Sequence, residues 1–141
     1  MKTDNTIHLI SRIHEKANAF LVEQLRGQGM NDLAPSHGDI LAALFKRDEV
    51  TMTEIATLIH RDRSTVTQLV RKLERKGYIF SRENAADRRS SVVCLTEKGR
   101  SLEPFFKQVS EDLYAMAYFG MTVEEISRFQ QLVRKIYHNM E

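Results

Sequence analysis

Apolar residues recur at three- and four-residue intervals from the N-terminus to Arg26, at Ile7, Ile10, Ile13, Ala17, Phe20, Leu21 and Leu25. That stripe predicts an amphipathic helix, ended by Gly27-Gln28-Gly29. A second stripe, Ile40, Leu41, Leu44 and Phe45, follows Pro35, a residue suited to the first turn of a helix. Thr51-Met52-Thr53-Glu54 has the spacing of a capping box and opens a short third helix over about 52–60, with Ile55, Ala56 and Ile59 inward. Asp62 caps a fourth helix, about 63–76, whose Val66, Leu69, Val70 and Leu73 turn inward before Gly77 stops it.

The pattern then changes. Tyr78-Ile79-Phe80 and Val92-Val93-Cys94-Leu95 are strand-like runs on either side of a polar turn. Thr96 opens a fifth helix predicted to reach about Phe119, where Gly120 breaks it. Thr122-Val123-Glu124-Glu125 is another capping box, opening a last helix with Ile126, Phe129, Val133 and Ile136 on one side. The predicted fold is mainly α with a small β-hairpin wing, a winged helix-turn-helix flanked by terminal helices. Isolated amphipathic helices are marginal in water. The terminal pair is therefore expected to pack together and against a second subunit; the alternative is that they fold over their own domain.

Composition changes this picture only locally. The 141 residues are 42% hydrophobic and 28% charged, with a net charge of +2, ordinary for one globular domain. Residues 61–89, however, hold nine Lys/Arg against four Asp/Glu, which leaves the rest of the chain net acidic. Such asymmetry points to a polyanionic partner for that segment, against the alternative of a merely solvated basic helix. Opposite its apolar stripe the fourth helix presents Ser64, Thr67, Gln68, Arg71 and Arg75, with Arg63 and Thr65 in its first turn. These side-chain types read major-groove edges: Arg takes guanine by two bonds, Gln takes adenine, and Ser/Thr take base edges or phosphate. The N-terminus of this helix also has backbone N–H groups to offer phosphate. Asp87, Arg88 and Arg89 sit at the tip of the predicted hairpin, where no core needs them. A guanidinium there suits a narrow, electronegative minor groove. A neighbouring carboxylate can preorganise it, although an exposed Asp–Arg pair alone is worth little.

From Thr51 to Gly99 the chain resembles the MarR family of winged helix-turn-helix regulators. The wing carries that family's Asp-x-Arg, Leu-Thr and Gly pattern at Asp87, Arg89, Leu95, Thr96 and Gly99. Thr-x-x-Glu-Ile-Ala at 51–56, Ser-Thr-Val-Thr at 64–67 and Leu-Glu-Arg-Lys-Gly at 73–77 also fit, as does the length of the flanking helices. The resemblance implies one MarR-like domain over 1–141, with a DNA-binding lobe at 30–98 and a helical dimerisation lobe from 1–29 and 99–141. It implies a homodimer on a pseudo-palindromic double-stranded operator, with the fourth helix in the major groove. Arg89 would enter the minor groove, steadied by Asp87, with Arg88 on phosphate. It further implies a repressor responsive to a small-molecule effector. The pocket for that effector is expected where the terminal helices meet the winged domain, near Ile13, Ala17, Phe20, His37, Leu41 and Phe105. Those six residues suit an ordinary core equally.

Other chemistries find little support. One cysteine, Cys94, cannot form an intramolecular disulfide and fits a reducing cytosol. Its strand position favours packing over redox sensing, with no second cysteine to resolve a sulfenic acid. Met1-Lys2-Thr3-Asp4-Asn5 lacks an apolar leader core, and no apolar run approaches the roughly 20 residues of a membrane span. A cytoplasmic protein without membrane contact is expected. His8 and His14 are off the spacing that stacks two ligands on one helix face, and His37, His60 and His138 are scattered, so no metal or other cofactor is expected. No phosphate loop, nucleophile elbow or His-x-x-x-His pair suggests an enzyme. A protein-binding module would more naturally expose apolar anchors where this chain puts its arginines.

Overall fold

In the computed structural model, which describes residues Thr3–Glu141, the elements follow in the order α1 (Thr6–Gly27), α2 (Pro35–Lys46), β1 (Val50–Thr51), α3 (Met52–Ile59), α4 (Arg63–Arg75), β2 (Ile79–Asn84), β3 (Asp87–Leu95), α5 (Glu97–Arg100), α6 (Glu103–Ala117) and α7 (Val123–Asn139). The leader reading at Met1 and Lys2 falls outside the described residues. Two compact units divide the chain, one running to Val109 and the other from Ser110 to Glu141.

The core of the first unit lies where the apolar stripes predicted it. Ile40, Leu41 and Leu44 of α2, Ile55 of α3, Val66 and Leu73 of α4 and Val93 of β3 are fully buried. Burying a side chain of this size contributes roughly 1.5–3 kcal/mol. Leu25, Met30 and Leu33 join the same cluster, so the end of α1 belongs to the winged core and not only to a separate helical lobe.

Local chemistry sets the helix ends. Thr51 Oγ1 accepts the Glu54 N–H at 3.1 Å while Glu54 accepts the Thr51 N–H at 3.3 Å, the capping box read from sequence. Gly77 has φ +81°, and the Tyr78 N–H reaches back to the Leu73 carbonyl at 3.0 Å, closing α4 with a left-handed glycine.

Three elements differ from the sequence expectation. A third strand, β1, pairs with β3 through Val50↔Val93 and Thr51↔Val92, giving the sheet order β1-β3-β2. At two residues it is too short for any periodicity to reveal. The hairpin strands also run further than their apolar cores, to Asn84 and from Asp87. Arg88 and Arg89 are therefore strand residues beside an Ala85–Ala86 turn, because ladder bonds do not require apolar side chains. Finally, the expected long helix from Thr96 to Phe119 is two helices. Thr96 caps α5 by accepting the Gly99 N–H at 3.1 Å, the Leu102 N–H turns back to the Gly99 carbonyl, and α6 restarts at Glu103. Pro104 has no N–H to continue a helix from Arg100 but fits the first turn of a new one.

In the second unit, the Tyr118 ring lies 5.5 Å from that of Tyr114 and 6.4 Å, edge-on, from that of Phe129. Thr122 and Glu125 form the capping box of α7, at 3.1 and 2.9 Å. No residue of α7 is buried.

Candidate nucleic-acid interface

The recognition face begins at Asp62. Its carboxylate accepts the Thr65 N–H at 2.7 Å and the Ser64 hydroxyl at 3.0 Å. Those bonds hold it ionised, with its pKa below the usual carboxylate value. A carboxylate therefore already occupies part of the helix N-terminus that the sequence reading offered to phosphate. The Thr67 hydroxyl donates to the Arg63 carbonyl at 2.8 Å, and the Arg63 guanidinium donates to Thr53 Oγ1 at 2.9 Å, tying α4 to α3. Gln68, Arg71 and Arg75 are exposed. Among the described residues, Arg71 and Arg75 have no ion-pair partner closer than 4.0 Å.

The other cations of α4 turn elsewhere. The Lys72 ammonium donates to the Asp32 carbonyl, and Lys76 pairs with the Asp32 carboxylate. Asp32, in the loop between α1 and α2, thus clamps the C-terminal half of α4. Sequence reading missed this clamp; the one available signal was that lysines four apart share a helix face. Arg82 of β2 similarly pairs with Glu49. The basic segment therefore divides into internally paired cations and an outward set.

At the wing, Asp87 Oδ1 accepts the Arg89 N–H at 3.0 Å and lies 3.5 Å from Arg89 Nε. The Arg89 side chain is 94% exposed. Arg88 Nε lies 3.7 Å from Glu83 Oε1 and is 90% exposed. Two guanidiniums thus project into solvent from a strand start whose backbone one carboxylate fixes. The wing is anchored at its base, where the Thr96 hydroxyl donates to the Gly77 carbonyl at 2.6 Å and Lys98 lies over the Tyr78 ring, 4.7 Å from its centre.

The six residues expected near an effector are spread through different environments. Leu41 is fully buried in the core and Phe105 packs against it. Ile13 is exposed, while Ala17 and Phe20 are half-buried. His37 is 5% exposed. An open cleft of about 480 Å³ lies elsewhere, between α2 and α3, lined by Asp39, Ala42, Ala43, Lys46, Arg47, Leu58, Ile59 and His60. Burial raises the Asp39 pKa there, opposed by Arg61 and His14. Cys94 is buried, as a packing residue is. No group of three His, Cys, Asp or Glu residues able to hold a metal occurs among the described residues. Nor is any described helix long and apolar enough to cross a membrane.

Known proteins share this fold. The MarR family model matches residues 31–90. The transcriptional repressor IacR of Pseudomonas putida is 23% identical over 140 residues, covering 99% of this chain and 82% of its own length. Further curated regulators match over only 57–67% of their own length. Among solved structures, a MepR–DNA complex from S. aureus superposes with a TM-score of 0.87 at 23% identity, covering 98% of this chain and 99% of that one. BpsR of Bordetella bronchiseptica, whose DNA binding is regulated by 6-hydroxynicotinic acid, gives a TM-score of 0.81 at 21% identity over 95% of this chain and 99% of its own. Over its helix-turn-helix and the start of its arginine-bearing wing, residues 31–90, this chain matches the MarR family.

Proposed function

We propose that the chain is a sequence-specific, double-stranded DNA-binding transcriptional regulator, acting as a homodimeric repressor in the cytoplasm and released by a small-molecule effector. One observation carries the DNA reading. The cations left unpaired on α4, Arg71 and Arg75, lie on the exposed face with Gln68, while the hairpin extends Arg89 on an Asp87-fixed backbone. In this reading Gln68, Arg71 and Arg75 face the major groove, with Arg63, Ser64, Thr65 and Thr67 at its edge. Arg89 enters the minor groove and Arg88 meets phosphate. Support comes from the likeness to MepR in its DNA complex.

Dimerisation is supported by the exposed apolar positions of the terminal helices, Ile7, Ile10 and Ile13 on α1 and Phe129, Val133 and Ile136 on α7. A two-fold dimer presents two copies of α4 to half-sites about one helical turn apart, so the operator is a pseudo-palindrome. The effector reading draws on BpsR and keeps Ile13, Ala17, Phe20, His37, Leu41 and Phe105 as its lining. Repression draws on IacR.

The test is fluorescence anisotropy with operator fragments selected by the purified protein, at fixed salt. Arg89→Ala is expected to lose on the order of 1–3 kcal/mol of binding free energy with folding intact. Affinity should fall with salt at a log–log slope of roughly −0.9 per phosphate neutralised. Unchanged affinity of the variant would remove the wing from the interface.

A further inference from the structure

We propose that His37 is an acid-operated latch joining the start of α2 to the recognition helix α4. The reading of α4 as the DNA-contacting helix underlies its functional consequence, but not the latch itself.

Ala34, the residue before α2, has no side-chain oxygen to cap the helix. The imidazole of His37 takes that role from inside: its Nδ1 accepts the Ala34 N–H at 2.8 Å. An accepting Nδ1 carries no proton, so the neutral ring holds its proton on Nε2. Nε2 is buried and has no hydrogen-bond partner among the described residues. Among the described residues, His37 is thus a buried histidine whose one side-chain hydrogen bond requires the neutral form.

Two charged groups reach it from the surrounding elements, Lys72 on α4 and Asp32 in the loop before α2. Burial and the Lys72 ammonium push its pKa down, while the Asp32 carboxylate pulls the other way; the Ala34 N–H, bonded to a bare Nδ1, favours the neutral ring. The same Asp32 holds Lys72 through its carbonyl and Lys76 through its carboxylate. A second proton on the ring would turn Nδ1 into a donor facing the Ala34 N–H and would set a buried cation beside Lys72. That form cannot keep this geometry. Acidification therefore opens the start of α2, and the Asp32 clamp on α4 opens with it.

The sign follows from linkage. A histidine pKa depressed on folding adds stability that is complete above the ordinary histidine range and is lost as pH falls through the native value.

The test compares wild type with His37→Asn, whose amide oxygen can accept the Ala34 N–H but does not titrate. Asp39, raised by burial, is present in both proteins and so cancels. In DNA-free wild type, histidine side-chain 15N spectra should show Nδ1 bare at about pH 7.5, and His37 should titrate below the unperturbed histidine range. Amide exchange, corrected for its intrinsic pH dependence, should rise severalfold at 34, 36–38 and 72–76 between about pH 7.5 and 5.5. His37→Asn should show no such rise. Operator affinity should fall about tenfold more over that range in wild type than in the variant.

A proton on Nδ1 at neutral pH, titration in the unperturbed range, or equal pH dependence in both proteins would overturn the latch. If neither protein binds DNA at any pH, the DNA reading fails while the exchange data still decide the latch. If His37→Asn does not fold, the wild-type titration and its coincidence with opening at 72–76 decide it alone.

Discussion

A Cβ on Gly99 would lie 2.0 Å from the carbonyl oxygen of Tyr78, and 3.0 Å from Leu95 Cδ2. Glycine is thus demanded at the foot of the wing by a neighbouring backbone that the sequence places some twenty positions earlier. Its φ is not in the left-handed region, so contact and not conformational freedom fixes the residue. Because the obstacle is a carbonyl and not the end of a flexible side chain, the wing base must move to admit a methyl group. Gly99→Ala should destabilise the fold by at least about 1–3 kcal/mol, the range for overpacking. Urea denaturation is the measurement, and a loss within a few tenths of wild type would contradict the close approach.

Thr51→Val should remove the acceptor for the Glu54 N–H while keeping a β-branched shape suited to the strand pairing with Val92. The expected cost is about 1 kcal/mol. Glu54→Gln at the same box should cost less, since an amide oxygen can still accept the Thr51 N–H. Thermal unfolding of both variants distinguishes a cap from a simple loss of charge.

Acid should loosen the first turn of α4. The Asp62 pKa is lowered from its ordinary 3.8, chiefly by its bond to Thr65. The carboxylate thus contributes stability above that value and loses it as pH falls through the lowered one. Protection of the α4 amides measured from neutral pH downward should decline over that acid window in wild type and stay flatter in Asp62→Asn. Identical profiles would show that the cap does not govern the turn.

Asp87→Ala should weaken operator binding less than Arg89→Ala. The carboxylate orders the arginine and its backbone, whereas the guanidinium makes the contact. Anisotropy titrations of the two single variants and the double variant test this, with the double variant expected to resemble Arg89→Ala. Additive losses would mean that Asp87 acts by some route other than Arg89.

Periodicity revealed the helices because their stripes are long enough to average over exceptions. The α4 stripe places Val66, Val70 and Leu73 in the core and leaves Gln68, Arg71 and Arg75 outside. Both threonine capping boxes were legible for the same reason, since a cap and its reply lie within four residues. Apart from the local α5–α6 break beside Pro104, what escaped depends on partners distant in the chain. The Val50 strand exists only because Val93 lies beside it, and the polar ends of the hairpin are strand through their ladder alone. Lys72 and Lys76 count toward the basic segment until Asp32 is seen to hold them. Charge counts along a segment do not separate paired cations from available ones. His37 was singled out for a pocket, yet its described bond is to a helix start, a role usually filled by an oxygen-bearing side chain at the cap.

The placing of β3 between β1 and β2 has a kinetic consequence. The β2–β3 hairpin closes across a two-residue turn, so its ladder can form early from local encounters. The Val50↔Val93 rung, by contrast, closes a loop that contains α3, α4 and all of β2. The outer strand should therefore dock late, after the intervening helices have condensed. Truncating Val50 should speed unfolding while barely slowing refolding, whereas a destabilising change in the hairpin ladder should slow refolding. The order of events on the folding pathway would then be recorded in the order of strands across a three-stranded sheet.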